Sequence, residues 1–159
     1  MNILLALTAV LILVTVALSF YYIYVRNNRN VIQLNISADE SYSVDFKALG
    51  LLPGDDISYT LRVKSEEKQK YKMTLKFNET DTEQKLKDFV YVRIEMGDEV
   101  IYEKLLADSF TDEALSLDVD FTNVKKNEFR ITYHMPEEVG NEAQNSEAFF
   151  ELHITAENW

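Results

Sequence analysis

Residues 57–77, ISYTLRVKSEEKQKYKMTLKF, decide the fold. Ile57, Tyr59, Leu61 and Val63 alternate with polar residues, and Tyr71, Met73, Leu75 and Phe77 do the same after a mixed-charge stretch. Side chains of an extended strand point to opposite faces with period two, so each run predicts a strand with one apolar and one solvated face. The stretch Lys64 to Lys72 between them reads as a hairpin connection. Upstream, the alternation continues at Ile32-Leu34-Ile36 and Tyr42-Val44-Phe46. Downstream it returns at Val90-Val92-Ile94-Met96, around Val100-Ile101-Tyr102, and at Leu115-Leu117-Val119-Phe121. Phe129-Ile131-Tyr133 and Phe150-Leu152-Ile154 complete a set of nine short strands.

Turn chemistry punctuates these runs. Pro53-Gly54-Asp55-Asp56 and Met96-Gly97-Asp98-Glu99 place residues that favour tight turns between strands. Asp81 to Lys87 predicts a short helix capped by Asp81 or Thr82. Strands of this number, each with one apolar face, bury it by packing as two sheets. The predicted fold class is therefore all-β, an antiparallel two-sheet sandwich or jelly roll of about nine strands, preceded by one N-terminal transmembrane helix. The β-domain is expected over residues 30–159, and a chain of about 130 residues buries enough surface to fold alone.

The N-terminal expectation rests on Ile3 to Val25, an apolar run free of charge that continues through Leu11. As a helix it would extend about 34 Å, enough to cross a hydrocarbon core of about 30 Å. Tyr21, Tyr22 and Tyr24 would form an interfacial belt at its end. No Lys or Arg precedes the run, and it is longer than an ordinary secretory h-region, which favours a retained signal-anchor over residues 1–29. A cleavage site after Ala17-Leu18-Ser19 is the other reading. Arg26 and Arg29, counted alone, would hold the flank they occupy in the cytoplasm.

The composition narrows the function classes. The chain has 159 residues, no Cys, and 16 Lys+Arg against 27 Asp+Glu, for a formal net charge of -11. Disulfides and thiolate chemistry are excluded, and an acidic surface disfavours nucleic acid as a partner. His134 and His153 match no zinc spacing, and no nucleophile elbow, phosphate loop or dinucleotide fingerprint is present. Asp55-Asp56 and Asp118/Asp120 lack the spacing of a calcium loop and read as solvated faces. Asn35-Ile36-Ser37 and Asn78-Glu79-Thr80 match the glycosylation sequon, which by itself is a weak signal. The expected protein is not an enzyme and uses no metal, cofactor or small-molecule substrate.

Three blocks resemble the TasA/camelysin family of exported bacterial proteins. Leu51-Leu52-Pro53-Gly54-Asp55 before the strand Ile57 to Val63 is similar to the family's L-x-P-G-D lead into a strand. Phe89 to Leu106 resembles its central strand-turn-strand, and Asn141 to Trp159 its ending on Ala156 and Trp159. The resemblance spans residues 31–159, with Pro53, Gly54, Asp55, Ala156 and Trp159 as signature positions. It implies a jelly roll and a structural role as subunit of an extracellular fibre or biofilm matrix, with self-association by donor-strand exchange. Val31, Ile32, Leu34 and Ile36 would then form the donor strand; otherwise they are the first strand of their own sheet. It also implies an extracytoplasmic domain, anchored in the cell membrane or secreted to the surface. A pilin-like filament subunit and a membrane-tethered binding or accessory module are the alternative readings.

Overall fold

The alternating runs become nine strands in the computed structural model, which describes residues 10–22, 30–49, 51–80, 85–140, 143 and 147–159. They are β1 (Val31–Asn35), β2 (Glu40–Leu49), β3 (Asp56–Lys64), β4 (Lys70–Glu79), β5 (Tyr91–Met96), β6 (Glu99–Leu105), β7 (Leu115–Asp120), β8 (Lys126–His134) and β9 (Glu147–Asn158). One sheet has the order β1-β3-β8-β5-β6 and the other β2-β9-β4-β7. The protein is thus mostly β, a two-sheet sandwich whose inner faces carry the alternating apolar residues.

Among the described strands, only β5 and β6 are joined as a hairpin. Its two-residue loop is Gly97-Asp98, with Gly97 at φ 64° and a non-positive φ at Asp98, which is the type II′ pattern. The other connections change sheet. The expected hairpin between β3 and β4 is therefore corrected: the two strands lie in different sheets, and residues 65–69 cross between them. Alternation determines which face turns inward but not which strand becomes the neighbour, so the mixed-charge connection could not distinguish the two outcomes.

Leu61, Val63, Tyr71, Met73, Leu75, Val92, Ile94, Phe129, Ile131, Leu152 and Ile154 are buried at the positions that alternation indicates. Met96 departs from its run: it lies beside the hairpin tip and is 39% exposed. Phe46 and Phe150 stack at 5.4 Å, Tyr59 meets Phe46 edge-on at 5.1 Å, and Tyr133 tilts against Phe150 at 5.0 Å. Offset and edge-on pairs of this kind add roughly 0.5–1.5 kcal/mol each beyond their area burial.

Two short helical segments close the sandwich. A 3-10 turn covers Leu86–Asp88, where the sequence predicted a short helix; its expected caps, Asp81 and Thr82, lie outside the described residues. A short α-helix over Leu106–Thr111 was not expected. Leu105 occupies its N-cap position without a side-chain hydrogen bond, so the usual polar start signal is missing.

The chain divides into two compact units, Met1–Val31 and Ile32–Trp159. In the first, residues 10–22 are helical, with Leu11, Leu13, Leu18, Phe20, Tyr21 and Tyr22 each more than 60% exposed. Thr15 and Ser19 donate their hydroxyls to the carbonyls of Leu11 and Thr15, both at 2.8 Å, which satisfies them within the helix. Among the described residues no helix is long and apolar enough to cross a membrane. The described helix, residues 10–22, extends about 20 Å at 1.5 Å per residue, less than the expected spanning length of about 34 Å. Ile3, Tyr24 and Val25, on which that length depended, lie outside the described residues.

Candidate assembly edges

A sandwich exposes unpaired backbone donors and acceptors only along its outermost strands, so these decide how copies can join. The four edges are β1 and β6 in one sheet, β2 and β7 in the other. Three carry the devices that block further pairing. β6 bears Glu99, Glu103 and Lys104, and its register against β5 shifts at Ile94/Glu95. β7 is six residues long, with Asp118 and Asp120 on its exposed face. β2 carries Glu40 and Asp45. β1 has the sequence VIQLN, with no charge and no proline. It is the edge least defended against another strand.

β1 is held by alternating anchors. Ile32 and Leu34 are half-buried against the core, Gln33 and Asn35 are exposed, and Ile36 just beyond the strand is 3% exposed. The Ile36 N–H donates to the Lys64 carbonyl at 2.8 Å, closing the ladder at the end of β3. The chain then turns to the other sheet through Asp39, which has φ 61° and donates its N–H to the Ala156 carbonyl at 2.8 Å. Tyr42 braces this turn: its hydroxyl accepts from the Ser37 N–H at 3.1 Å and donates to Glu40. Desolvation first, and then Glu40, raises the Tyr42 pKa.

Pro53, Gly54, Asp55, Ala156 and Trp159 take structural roles. Leu52-Pro53-Gly54-Asp55 forms a tight turn in which the Asp55 N–H donates to the Leu52 carbonyl at 2.9 Å. Pro53 at the second position and Gly54 at φ 87° match a type II turn. The Asp55 carboxylate accepts the Leu52 N–H at 2.9 Å. Two further bonds, Gly54 N–H to Met135 carbonyl at 2.8 Å and Met135 N–H to Asp55 carbonyl at 3.1 Å, fasten the turn to the segment after β8. Ala156 is buried between β2 and β4, opposite Glu40 and Met73. Trp159 is 71% exposed, with the Lys70 ammonium 5.4 Å from its ring centre.

The titratable groups form local pairs. His153 lies on the outer face of β9, as alternation indicates, with its Nδ1 3.2 Å from the Ser43 hydroxyl. That hydroxyl donates to Glu151 at 2.7 Å, so its proton is directed to the carboxylate rather than to the imidazole. His134 pairs with Asp56 at the start of β3. Asp120 is held below the usual carboxylate range by the Thr122 hydroxyl and N–H, and Lys70 lies 3.7 Å away. Arg62 and then Lys126 lower the Glu128 pKa in the same way. Among the described residues no three acidic or histidine side chains converge on a cation site.

No family model matches the chain, and no curated protein does. Among solved structures it is similar to PliG of Aeromonas hydrophila, a periplasmic inhibitor of g-type lysozyme. Identity there is 10% and the TM-score 0.38, over 80% of this chain and 98% of that one. It is also similar to the CUB1-EGF-CUB2 domains of rat MASP-1, at 14% identity and TM-score 0.39, over 79% and 42% of the two chains. A β-glucosidase from Paenibacillus barengoltzii matches at 12% identity and TM-score 0.26, over 77% of this chain and 11% of that one. These likenesses carry no argument about function.

Proposed function

We propose that this chain is a structural, non-catalytic surface protein: a TasA-like jelly-roll subunit of an extracellular fibre or biofilm matrix that joins its neighbours by exchanging β1. The observation that carries the reading is the edge position of β1, uncharged and alternating, beside β3. If β1 of one copy takes the seat beside β3 of the next, it reproduces the same main-chain bonds and buries the same Ile32, Leu34 and Ile36 anchors. Exchange then costs little contact energy, and repetition extends the chain of subunits. The jelly-roll reading is supported by the strand orders β1-β3-β8-β5-β6 and β2-β9-β4-β7, in which every connection between successive strands except β5–β6 changes sheet. The apolar N-terminal segment tethers or exports the sandwich to the cell surface, so the partners are the membrane and further copies of this chain.

Deleting Asn30 to Ser37 tests this function. The expected outcome is a folded sandwich that forms no fibres and binds a synthetic peptide of those eight residues. Fibres that persist, or a truncated chain that no longer folds, would refute β1 exchange. Intact mass of the native protein with its cell fraction tests the location: a species of 18.5 kDa in the membrane indicates a retained anchor, and a shorter extracellular one indicates processing.

A further inference from the structure

We propose that the two ends of the β3–β8 ladder are complementary docking surfaces, the basic end of one copy seating the acidic end of the next. This rests on the self-assembly reading above and adds to it a second, electrostatic contact that sets polarity. The ladder runs from the pair Asp56↔His134 at one end to Lys64↔Lys126 at the other. At about 3.3 Å per residue these ends lie roughly 26 Å apart.

At the basic end, the β3–β4 and β7–β8 connections frame a groove of about 550 Å³ lined by Lys64, Ser65, Glu66, Val124, Lys125 and Lys126. Val124 is 46% exposed, an apolar point on the groove wall. Lys126 shares Glu128 with Arg62, whereas Lys64, Lys68 and Lys125 make no ion pair among the described residues. Glu66 is the one carboxylate in the lining. Uncommitted lysines gathered in this way stand out on a chain with net charge -11.

The opposite end has the reverse composition. The β2–β3 and β8–β9 connections, fastened together through Gly54, Asp55 and Met135, present Asp55, Glu137 and Glu138 to solvent. Neither Glu137 nor Glu138 makes an ion pair among the described residues. Leu52, 55% exposed, supplies an apolar point among these acids. Each end thus offers one apolar contact among charges predominantly of one sign. Complementary fields of this kind steer encounter and fix register. Because the two surfaces differ and lie at opposite ends of the ladder, the contact is heterologous and repeats without closing into a dimer.

The test uses the full chain in one detergent, with particle mass read by light scattering. Wild-type chains should form larger particles at about 0.01 M salt, where the Debye length is roughly 30 Å, than at about 1 M, where it is roughly 3 Å and β1 exchange alone remains. The double variants Lys64→Glu/Lys125→Glu and Glu137→Lys/Glu138→Lys should each form smaller particles than wild type at low salt. Mixed together they should form larger particles again, because each then meets an end of opposite sign. This rescue also excludes misfolding as the cause of either loss. Wild-type association with both variants associating as well alone would overturn the docking contact and leave the self-assembly reading standing. Monomeric wild type at both salts would overturn both. Monomeric wild type that binds a poly-glutamate peptide would assign the groove to a foreign acidic partner and overturn the proposal.

Discussion

Replacing Tyr133 by Phe is expected to stabilise the protein. Tyr133 is fully buried between the sheets, and its hydroxyl has no hydrogen-bond partner among the described residues. Desolvation, with a smaller contribution from Tyr59, pushes its pKa well above the ordinary value. A polar group buried without a partner costs about 1–3 kcal/mol relative to water, and Tyr133→Phe removes that cost. The void left by one oxygen, roughly 10 Å³, returns only about 0.2 kcal/mol. The ring stays in contact with Phe46, Tyr59 and Phe150, so the aromatic packing is retained. The net gain is about 1–3 kcal/mol, which raises Tm by roughly 3–15 °C for a domain of this size. Urea and thermal unfolding of the two proteins measure it. Tyr71→Phe is the internal contrast: its buried hydroxyl donates to Glu67 at 2.6 Å and lies 3.1 Å from the Ser65 hydroxyl, so its loss should cost about 1 kcal/mol. A Tyr133→Phe protein less stable than wild type would mean that the hydroxyl is satisfied, and the reasoning would fail.

Other substitutions test the turns, the edge and the charges. Gly54→Ala forces an L residue to φ 87° with its Cβ 3.2 Å from Glu137 Cγ, whereas Gly97→Ala at φ 64° meets nothing within 4 Å. Both should destabilise by about 1 kcal/mol or more through backbone strain, Gly54 by the larger amount, and Glu137→Ala should recover part of the Gly54→Ala loss in chemical denaturation. Ile36→Ala should cost roughly 2–4 kcal/mol and speed hydrogen exchange along β1, while exposed Gln33→Ala should change neither. Glu128 has its pKa lowered by Arg62 and Lys126, so its contribution is present above the unfolded value of about 4.3 and is lost as pH falls through the folded one. Glu128→Gln should therefore narrow the Tm difference between neutral and acid pH, and an unchanged difference would remove that role.

Most strands were legible because they keep an apolar-polar alternation over their inward residues, as in Leu61-Val63 and Leu152-Ile154; β6, with Val100-Ile101-Tyr102 in succession, is the exception. Their neighbours were not. β9 lies between β2 and β4 although it is last in the chain, and nothing local in Phe150-Leu152-Ile154 encodes that partner. The helix Leu106–Thr111 leaves no mark in the sequence because six residues fall short of a periodic window and Leu105 gives no cap signal. Pro53-Gly54-Asp55 could be read as a turn, since proline and glycine preset its dihedrals, but its attachment to Met135 could not. The two charged ends were also hidden in the sequence: Lys64 and Lys125 become neighbours only through the β3–β8 register, and local charge runs carry no sign of it.

The central place of β9 governs the order of folding. Its His153 meets Ser43, 110 residues earlier in the chain. The second sheet has neither of its inner pairings, β2–β9 or β9–β4, until the final strand is available. Until β9 is in place, β2 and β4 lack the strand that joins them. Such long-range closure slows folding, because the entropy of closing the loop is lost before the sheet's contacts compensate for it.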